Sequence, residues 1–255
     1  MILLSVAIPG YRNHYIYINF YIMKQILIVF TALLGLASCR YTTGSGNIIT
    51  ENRSVKDFTG ISVGGDFDVE VKIGPAQEIK LEADDNIMKY IETVVSENTL
   101  KIRIKDLHNY RDVHMKVYIT TPSLTKINAS ASAKIDVLDV LKSSERLSFG
   151  TSSAGTINAD IDAPEVEADA SSGSTLNLNG KTRTYHAQAS SGADIRSYEL
   201  LSENTKVEVS SGGTAKVYAS VNLDASASSG GSVNYRGAAS VTKSESSGGS
   251  VSKRG

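Results

Sequence analysis

Ser152-Ser-Ala-Gly-Thr-Ile157, Ser171-Ser-Gly-Ser-Thr-Leu176, Ser190-Ser-Gly-Ala-Asp-Ile195, Ser210-Ser-Gly-Gly-Thr-Ala215, Ser228-Ser-Gly-Gly-Ser-Val233 and Ser246-Ser-Gly-Gly-Ser-Val251 are variants of one hexapeptide. Ser130-Ala-Ser-Ala-Lys-Ile135 is a weaker copy upstream. The closing apolar residue recurs at 135, 157, 176, 195, 215, 233 and 251, with spacings of 22, 19, 19, 20, 18 and 18. A period near 20 residues marks a solenoid, in which each repeat buries its apolar face only against its neighbours. The regular leucines and helix formers of a leucine-rich repeat are missing.

The residues around each hexapeptide alternate. Val166, Ala168 and Ala170 precede one corner, Tyr185, Ala187 and Ala189 the next, and Ile157, Ala159 and Ile161 follow another. Period-two alternation describes half-buried strands. Each repeat is therefore strand, Ser-Ser-Gly corner, strand, with Gly173, Gly192, Gly212, Gly230 and Gly248 supplying the positive φ of a tight corner. The expected fold is an all-β β-helix, or β-solenoid, of about 18–20 residues per coil rising about 4.8 Å per coil. Inward positions before the corner are mostly Ala or Val, which predicts a narrow interior. In the last copy Val241, Lys243 and Glu245 occupy the places of Leu223, Ala225 and Ala227. Charge enters where a solenoid needs a polar end cap. A Ser/Gly linker would not keep apolar residues in register.

Upstream of residue 128, from Asn47, the pattern is also period two. Asp66–Ile73, Gln77–Ala83, Leu100–Lys105 and Val113–Ile119 alternate polar and apolar. Between them, apolar residues at 87, 88, 91, 94 and 95 have helical spacing, and Asp84 or Asp85 is placed to cap the N-terminus. One short helix is predicted over Asn86–Val95. Residues 47–255 then form a single β-helix domain, with the corner repeats running from about 128 to 255.

The N-terminus reads as an address. From Met23 a short basic start leads into the apolar run Ile26–Ala37, then Ser38 and Cys39. This is the layout of a signal peptide, too short for the roughly 20 residues of a membrane span. Leu36-Ala37-Ser38-Cys39 resembles the bacterial lipobox, in which the Cys receives lipid and becomes the first mature residue. Residues 23–38 are the expected lipoprotein signal peptide. Residues 1–22 precede a complete signal and read as an upstream mis-start, so 1–38 is a removed leader. Gly, Ser and Thr over 41–46 then suggest a lipidated tether at 39–46. The expected location is the cell envelope, as an outer-membrane lipoprotein, with the surface or periplasmic face left open.

Composition narrows the function classes. Charged residues are 21% and apolar residues 41%, as in globular chains. The net charge of −1 becomes −3 once Arg12 and Lys24 leave with the leader. Neither value, without a basic stripe, favours nucleic acid. Cys39 is the sole cysteine, so no disulfide framework or cysteine-based zinc site is available.

With these features in hand, the chain resembles the bacterial family described as putative auto-transporter adhesin, head GIN domain, over residues 47 to 240. Gly44-Ser-Gly-Asn47 and Phe58-Thr-Gly-Ile61-Ser-Val-Gly64-Gly-Asp-Phe67-Asp-Val-Glu-Val71 are similar to the family's opening, and the Ser-Ser-Gly corners to its second half. The resemblance implies a β-helix related in shape to pectin lyases, found in lipoproteins of Bacteroides-like bacteria, with adhesion as the family's proposed role.

No catalytic residues, metal ligands or cofactor motif emerge. His14, His108, His114 and His186 have no ligand spacing, and neither a nucleophile elbow nor a phosphate-binding loop occurs. Asp136, Asp139, Asp160, Asp162, Asp169 and Asp194 are the carboxylates to weigh, since paired carboxylates hydrolyse glycosides or bind calcium. Outward acidic residues are also what a solvated face looks like. Three functions remain: an adhesive or ligand-binding envelope lipoprotein without catalysis, a periplasm-facing structural or sensing lipoprotein, and a carbohydrate-active β-helix enzyme. For the first, the partners are the membrane through the lipid and glycans or surface proteins through Asn158, Asn177, Asn179, Tyr198, Tyr218 and Tyr235. Exposed strands leave homo-oligomers open.

Overall fold

The computed structural model describes residues 41–107 and 109–254, with one compact unit over Thr42–Gly255. The leader, its signal peptide, Cys39 and His108 lie outside the described residues. Two parallel-stranded walls meet at the corners. Strands entering the corners stack as the first wall: Gly60–Gly64, Lys126–Ser130, Leu147–Thr151, then residues 166–170, 184–189 and 204–209, then Asn222–Ala227 and Ser240–Glu245. Strands leaving the corners stack as the second wall: Asp68–Ile73, Lys134–Val137, residues 156–158 and 175–177, Asp194–Ser197, Thr214–Tyr218, Ser232–Arg236 and Ser250–Lys253. The fold is a β-solenoid of stacked coils with one short helix.

The register is the one the repeat predicts. Ile135, Ile157, Leu176, Ile195, Ala215, Val233 and Val251 lie in one column across the second wall, all buried. A one-residue slip would turn every such side chain to solvent. Burying each large aliphatic residue contributes roughly 1.5–3 kcal/mol, which holds neighbouring coils in phase.

The corner is a two-residue device. Ser172, Ser191, Ser211, Ser229 and Ser247 have φ of 47–54°, and the glycines after them, at 173, 192, 212, 230 and 248, have φ of 68–77°. Two successive positive φ values, closed by Ser174 N–H to Ser171 C=O at 3.3 Å and Gly213 N–H to Ser210 C=O at 2.9 Å, give the type I′ turn of β-hairpins. Here the turn joins two walls. Each corner also bonds to the next: Gly173 N–H donates to Ser191 C=O at 3.1 Å, and Gly192 N–H to Ser211 C=O at 3.2 Å. The turns form a ladder of their own, which satisfies backbone groups that a tight corner would otherwise strand. Ser132, at φ 70°, and Ala154, at φ 63°, take the glycine's place in the two corners that lack one.

The front half extends both walls with hairpins. Glu78–Asp84 runs antiparallel to Met115–Thr121, which lies parallel to Asp68–Ile73, and Ile48–Arg53 closes that edge. Ile91–Ser96 and Thr99–Ile104 extend the first wall beyond Gly60–Gly64. Two expectations are corrected. The helix is a single turn, Asp85–Met88, and Ile91–Ser96 is an edge strand. The β-branched Ile91, Thr93, Val94 and Val95 favour a pleated surface, and the partner strand Thr99–Ile104 outweighs their helical spacing. Asp84 is the N-cap residue but makes no capping bond; its carboxylate accepts from the Gly46 and His114 amides, each at 2.7 Å. The second correction concerns residues 42–46, expected as tether. They are part of the folded unit, and Thr42–Thr43 pairs in parallel with Tyr110–Arg111.

At the far end, Lys243 and Glu245 take the inward positions of the last coil, as the end-cap argument predicts. Glu245 accepts the backbone N–H of Val251, on the opposite wall, at 2.6 Å, and Lys243 pairs with it at 3.4 Å.

Candidate functional site

Within the solenoid, the backbone groups of each strand bond to the coils above and below. Recognition along the walls therefore falls to outward side chains, which recur once per coil.

A groove of 590 Å³ runs beside the corners across several coils. Two columns build it. One is the row of first corner serines, including Ser130, Ser152, Ser171, Ser190 and Ser210. The other is the first-wall column Asn128, Gly150, Asp169, Gln188 and Glu208, in register coil by coil. Both columns face outward because Ala129, Ala170, Ala189 and Val209, between them, are buried. The side-chain carbonyl of Asn128 lies over Gly150, in the space a Cβ would need. Among the described residues, the side chains of Asn128, Asp169 and Gln188 make no hydrogen bond or ion pair, while Glu208 is paired with Lys206 at 2.8 Å. Asp169 is exposed overall, and the groove beside it shields it in part from water. This partial withdrawal from water, and then the nearby charge of Glu167, raise its carboxyl above the ordinary value.

The groove carries hydroxyls, amides and the two carboxylates Asp169 and Glu208, and no aromatic ring. Such a surface recognises a ligand through hydrogen bonds made by side chains. Adding a ligand strand to the sheet edge is ruled out along the walls, because the edges there are already paired.

Most of the residues expected to bind have other work. Asn177 donates to Asn158 at 2.6 Å, and Asn158 to Asp136 at 2.5 Å, forming an amide ladder between coils. Asn179 donates to Asp160 at 3.0 Å. The Tyr198 ring lies under the Arg236 guanidinium at 4.3 Å; burial raises its hydroxyl above the usual value, partly countered by Arg236 and Arg254. Tyr235 packs against the core. Tyr218 is held through its backbone carbonyl, which accepts from Ser202 and Thr205, and these bonds leave its ring and hydroxyl uncommitted. The flagged carboxylates are engaged as well: Asp139 accepts the Ile73 amide at 2.9 Å, Asp162 pairs with Lys181 at 3.3 Å, and Asp194 with Arg196 at 2.6 Å. Asp169 alone of that set stands in the groove without a partner. Asn128, Gln188 and Glu208 were missed. All three lie two residues before a corner serine, so reading down the repeats by column would have found them.

His186 sits between Glu167 and Lys206 on the first wall, and the His114 backbone N–H binds Asp84. Among the described residues no group of three or more His, Cys, Asp or Glu could hold a metal ion, and no helix is long and apolar enough to cross a membrane.

Solved structures share this architecture. A putative adhesin from Bacteroides fragilis NCTC 9343 superposes with a TM-score of 0.75 at 20% identity, covering 83% of this chain and 98% of that one. A putative adhesin from Parabacteroides merdae ATCC 43184 gives 0.67 at 17% identity, covering 84% and 99%. A structure described as a putative lipid binding protein from Parabacteroides distasonis ATCC 8503 gives 0.69 at 19%, covering 85% and 100%. At these identities the likeness is one of fold. No curated protein matches the sequence. A family model matches residues 57–239, the hairpins and all but the last coil, and the chain belongs to the family described as "Putative auto-transporter adhesin, head GIN domain".

Proposed function

We propose that this protein is a lipid-anchored envelope protein that binds an extended, hydroxyl-rich partner such as a glycan along the corner groove, without catalysis. The observation that carries the proposal is the column Asn128, Asp169 and Gln188, three polar side chains without partners within four consecutive layers of one wall, the remaining layer holding Gly150. Hydrogen-bonding groups at a spacing of about 4.8 Å suit a polymer lying along the solenoid axis. Asp169 and Glu208 disfavour acidic polymers, and the missing aromatic platform makes each contact weak, so affinity must accumulate over several coils. The family's description as adhesins agrees with binding rather than turnover.

Glycan-array binding by the purified folded unit, followed by calorimetry on the hits, tests the proposal. Asp169→Ala combined with Gln188→Ala should weaken binding to neutral glycans at least tenfold, while Asn179→Ala, outside the groove, should not. Binding that ignores the groove pair, or reproducible release of shortened products, would refute it. Protease shaving of intact cells beside a periplasmic marker decides which face of the outer membrane the protein occupies. Cleavage with the marker intact supports adhesion to external partners, and protection favours an envelope-internal role.

A further inference from the structure

The segment with the composition of a flexible tether is bound at every step. Thr42 N–H donates to Asn109 C=O at 2.8 Å, and Asn86 Nδ2 donates to Thr43 C=O at 2.8 Å. Ser45 donates its hydroxyl to Asp85 at 2.6 Å and its amide to Asn86 Oδ1 at 3.1 Å. The Gly46 amide meets Asp84 at 2.7 Å, and Asn47 Nδ2 meets Asp85 at 2.9 Å. Asp84 is 2% exposed, so one of these acceptors is a buried carboxylate. Bonds from Ser45 and then Asn47 hold the Asp85 carboxyl below its ordinary value. A Cβ on Gly44 would stand 2.5 Å from Asp84 Oδ2 and 2.6 Å from the Asp112 carbonyl, so this close approach needs glycine. Glycine for contact, with Ser and Asn as donors, is the chemistry of a docked strand facing an Asp-Asp-Asn clamp.

We infer that the Asp84-Asp85-Asn86 clamp holds the folded unit on a short leash, making the face around Thr42 and Tyr110 the one that lies against the lipid bilayer. The inference rests on Cys39 being the lipidated residue. From Cys39 to the first docked residue, Thr42, the chain can span about 10 Å at full stretch. With the clamp released, the next fixed element is the strand Ile48–Arg53. The leash would then reach about 30 Å at full stretch, with a root-mean-square length of about 15–18 Å. The docked segment therefore selects the surface that meets the membrane and limits swivelling of the solenoid.

The test uses the chain from Cys39 onward, whose compact unit begins at Thr42. Its sole thiol is coupled to a maleimide lipid in a supported phosphatidylcholine bilayer, and neutron reflectometry reads the protein-free gap. The unsubstituted chain should show a gap of at most about 10 Å. The pair Ser45→Ala and Asn47→Ala should widen it roughly twofold, as should Asp85→Ala, which acts from the clamp's side. Hydrogen exchange should show the Thr42 and Gly46 amides protected in the unsubstituted chain and released in both variants. Equal gaps in all three proteins, or exchange of those amides at free-peptide rates in the unsubstituted chain, would overturn the inference. Chemical coupling keeps this result independent of natural lipidation. The intact mass of protein extracted from its own cell envelope reports on that: a diacylglyceryl mass on Cys39 supports the leash in the cell, and its absence sinks the anchor while leaving the clamp measurement intact.

Discussion

Gly192→Ala isolates what the corner glycine contributes. Gly192 has φ of 74°, and a Cβ built there meets nothing within 4 Å, so the substitution introduces no clash. The remaining cost is conformational, since a left-handed residue with a Cβ is disfavoured by roughly 1–2 kcal/mol. Replacing Gly also removes freedom from the unfolded chain, which returns about 0.4–1 kcal/mol. The net expectation is a loss of roughly 0.5–1 kcal/mol, or about 1–4 °C in Tm for a unit of this size. The protein contains the reciprocal experiment. Ala154 holds the same corner position at φ 63°, and Ala154→Gly should stabilise by a similar amount. Gly180→Ala sets the other limit: at φ 107° its Cβ would overlap the Ile161 carbonyl, so strain and a backbone collision combine, and the loss should exceed roughly 3 kcal/mol. Urea unfolding followed by far-ultraviolet circular dichroism reads all three. If Gly192→Ala is as damaging as Gly180→Ala, or Ala154→Gly destabilises, the corner glycines are not there for their backbone conformation and the account of the turn is wrong.

Two further outcomes follow from the interior and the end cap. The Tyr185 hydroxyl is fully buried; desolvation raises its pKa far above the usual value, with Ser197 opposing only weakly, and Ser197 gives its own proton to the Lys216 carbonyl. Tyr185→Phe removes an unsatisfied buried group, so it should be neutral or stabilise by about 1 kcal/mol in the same urea assay. A loss above about 2 kcal/mol would show that the hydroxyl has a strong partner. Glu245 is held below its ordinary value first by the Val251 amide and then by Lys243. A lowered folded-state pKa gives stability that is present above the unfolded carboxylate pKa and lost as pH falls through the folded one. Exchange at the Val251 amide, corrected for intrinsic rate, should therefore rise on acidification, and Glu245→Ala should raise it at neutral pH. Protection that stays constant with pH would remove Glu245 from the cap.

Much of the fold was legible because a solenoid is almost one-dimensional. The column from Ile135 to Val251 is both a sequence period and a structural ladder, since each coil contacts only the next and the chain distance between partners is the coil length. The polar last coil was legible for the same reason. Residues 91–96 were not, because Ile91, Val94 and Val95 fit a helical face and an edge strand alike, and only the strand at Thr99–Ile104 decides between them. The candidate site was half legible. Asp169 stood out as a carboxylate, but Asn158 and Asn177 looked equally able to bind, and their bonds to each other across coils appear only once the coils are stacked.

The sequence by itself determined the period, the inward and outward faces, the Ser-Ser-Gly corners and the charged final coil, because these depend on residues close in the chain or one repeat apart. Only the tertiary structure decided that the corner is a two-residue left-handed turn bonded to its neighbours, that Asn128, Asp169 and Gln188 share one open groove, and that residues 42–47 are docked rather than free. The last of these depends on contacts between segments about 40 or more residues apart, such as Ser45 with Asp85 and Thr42 with Tyr110. Local composition carries no record of them: glycine and serine suit a loose tether and a close-packed strand equally well, and the carboxylates that settle the choice lie elsewhere in the chain.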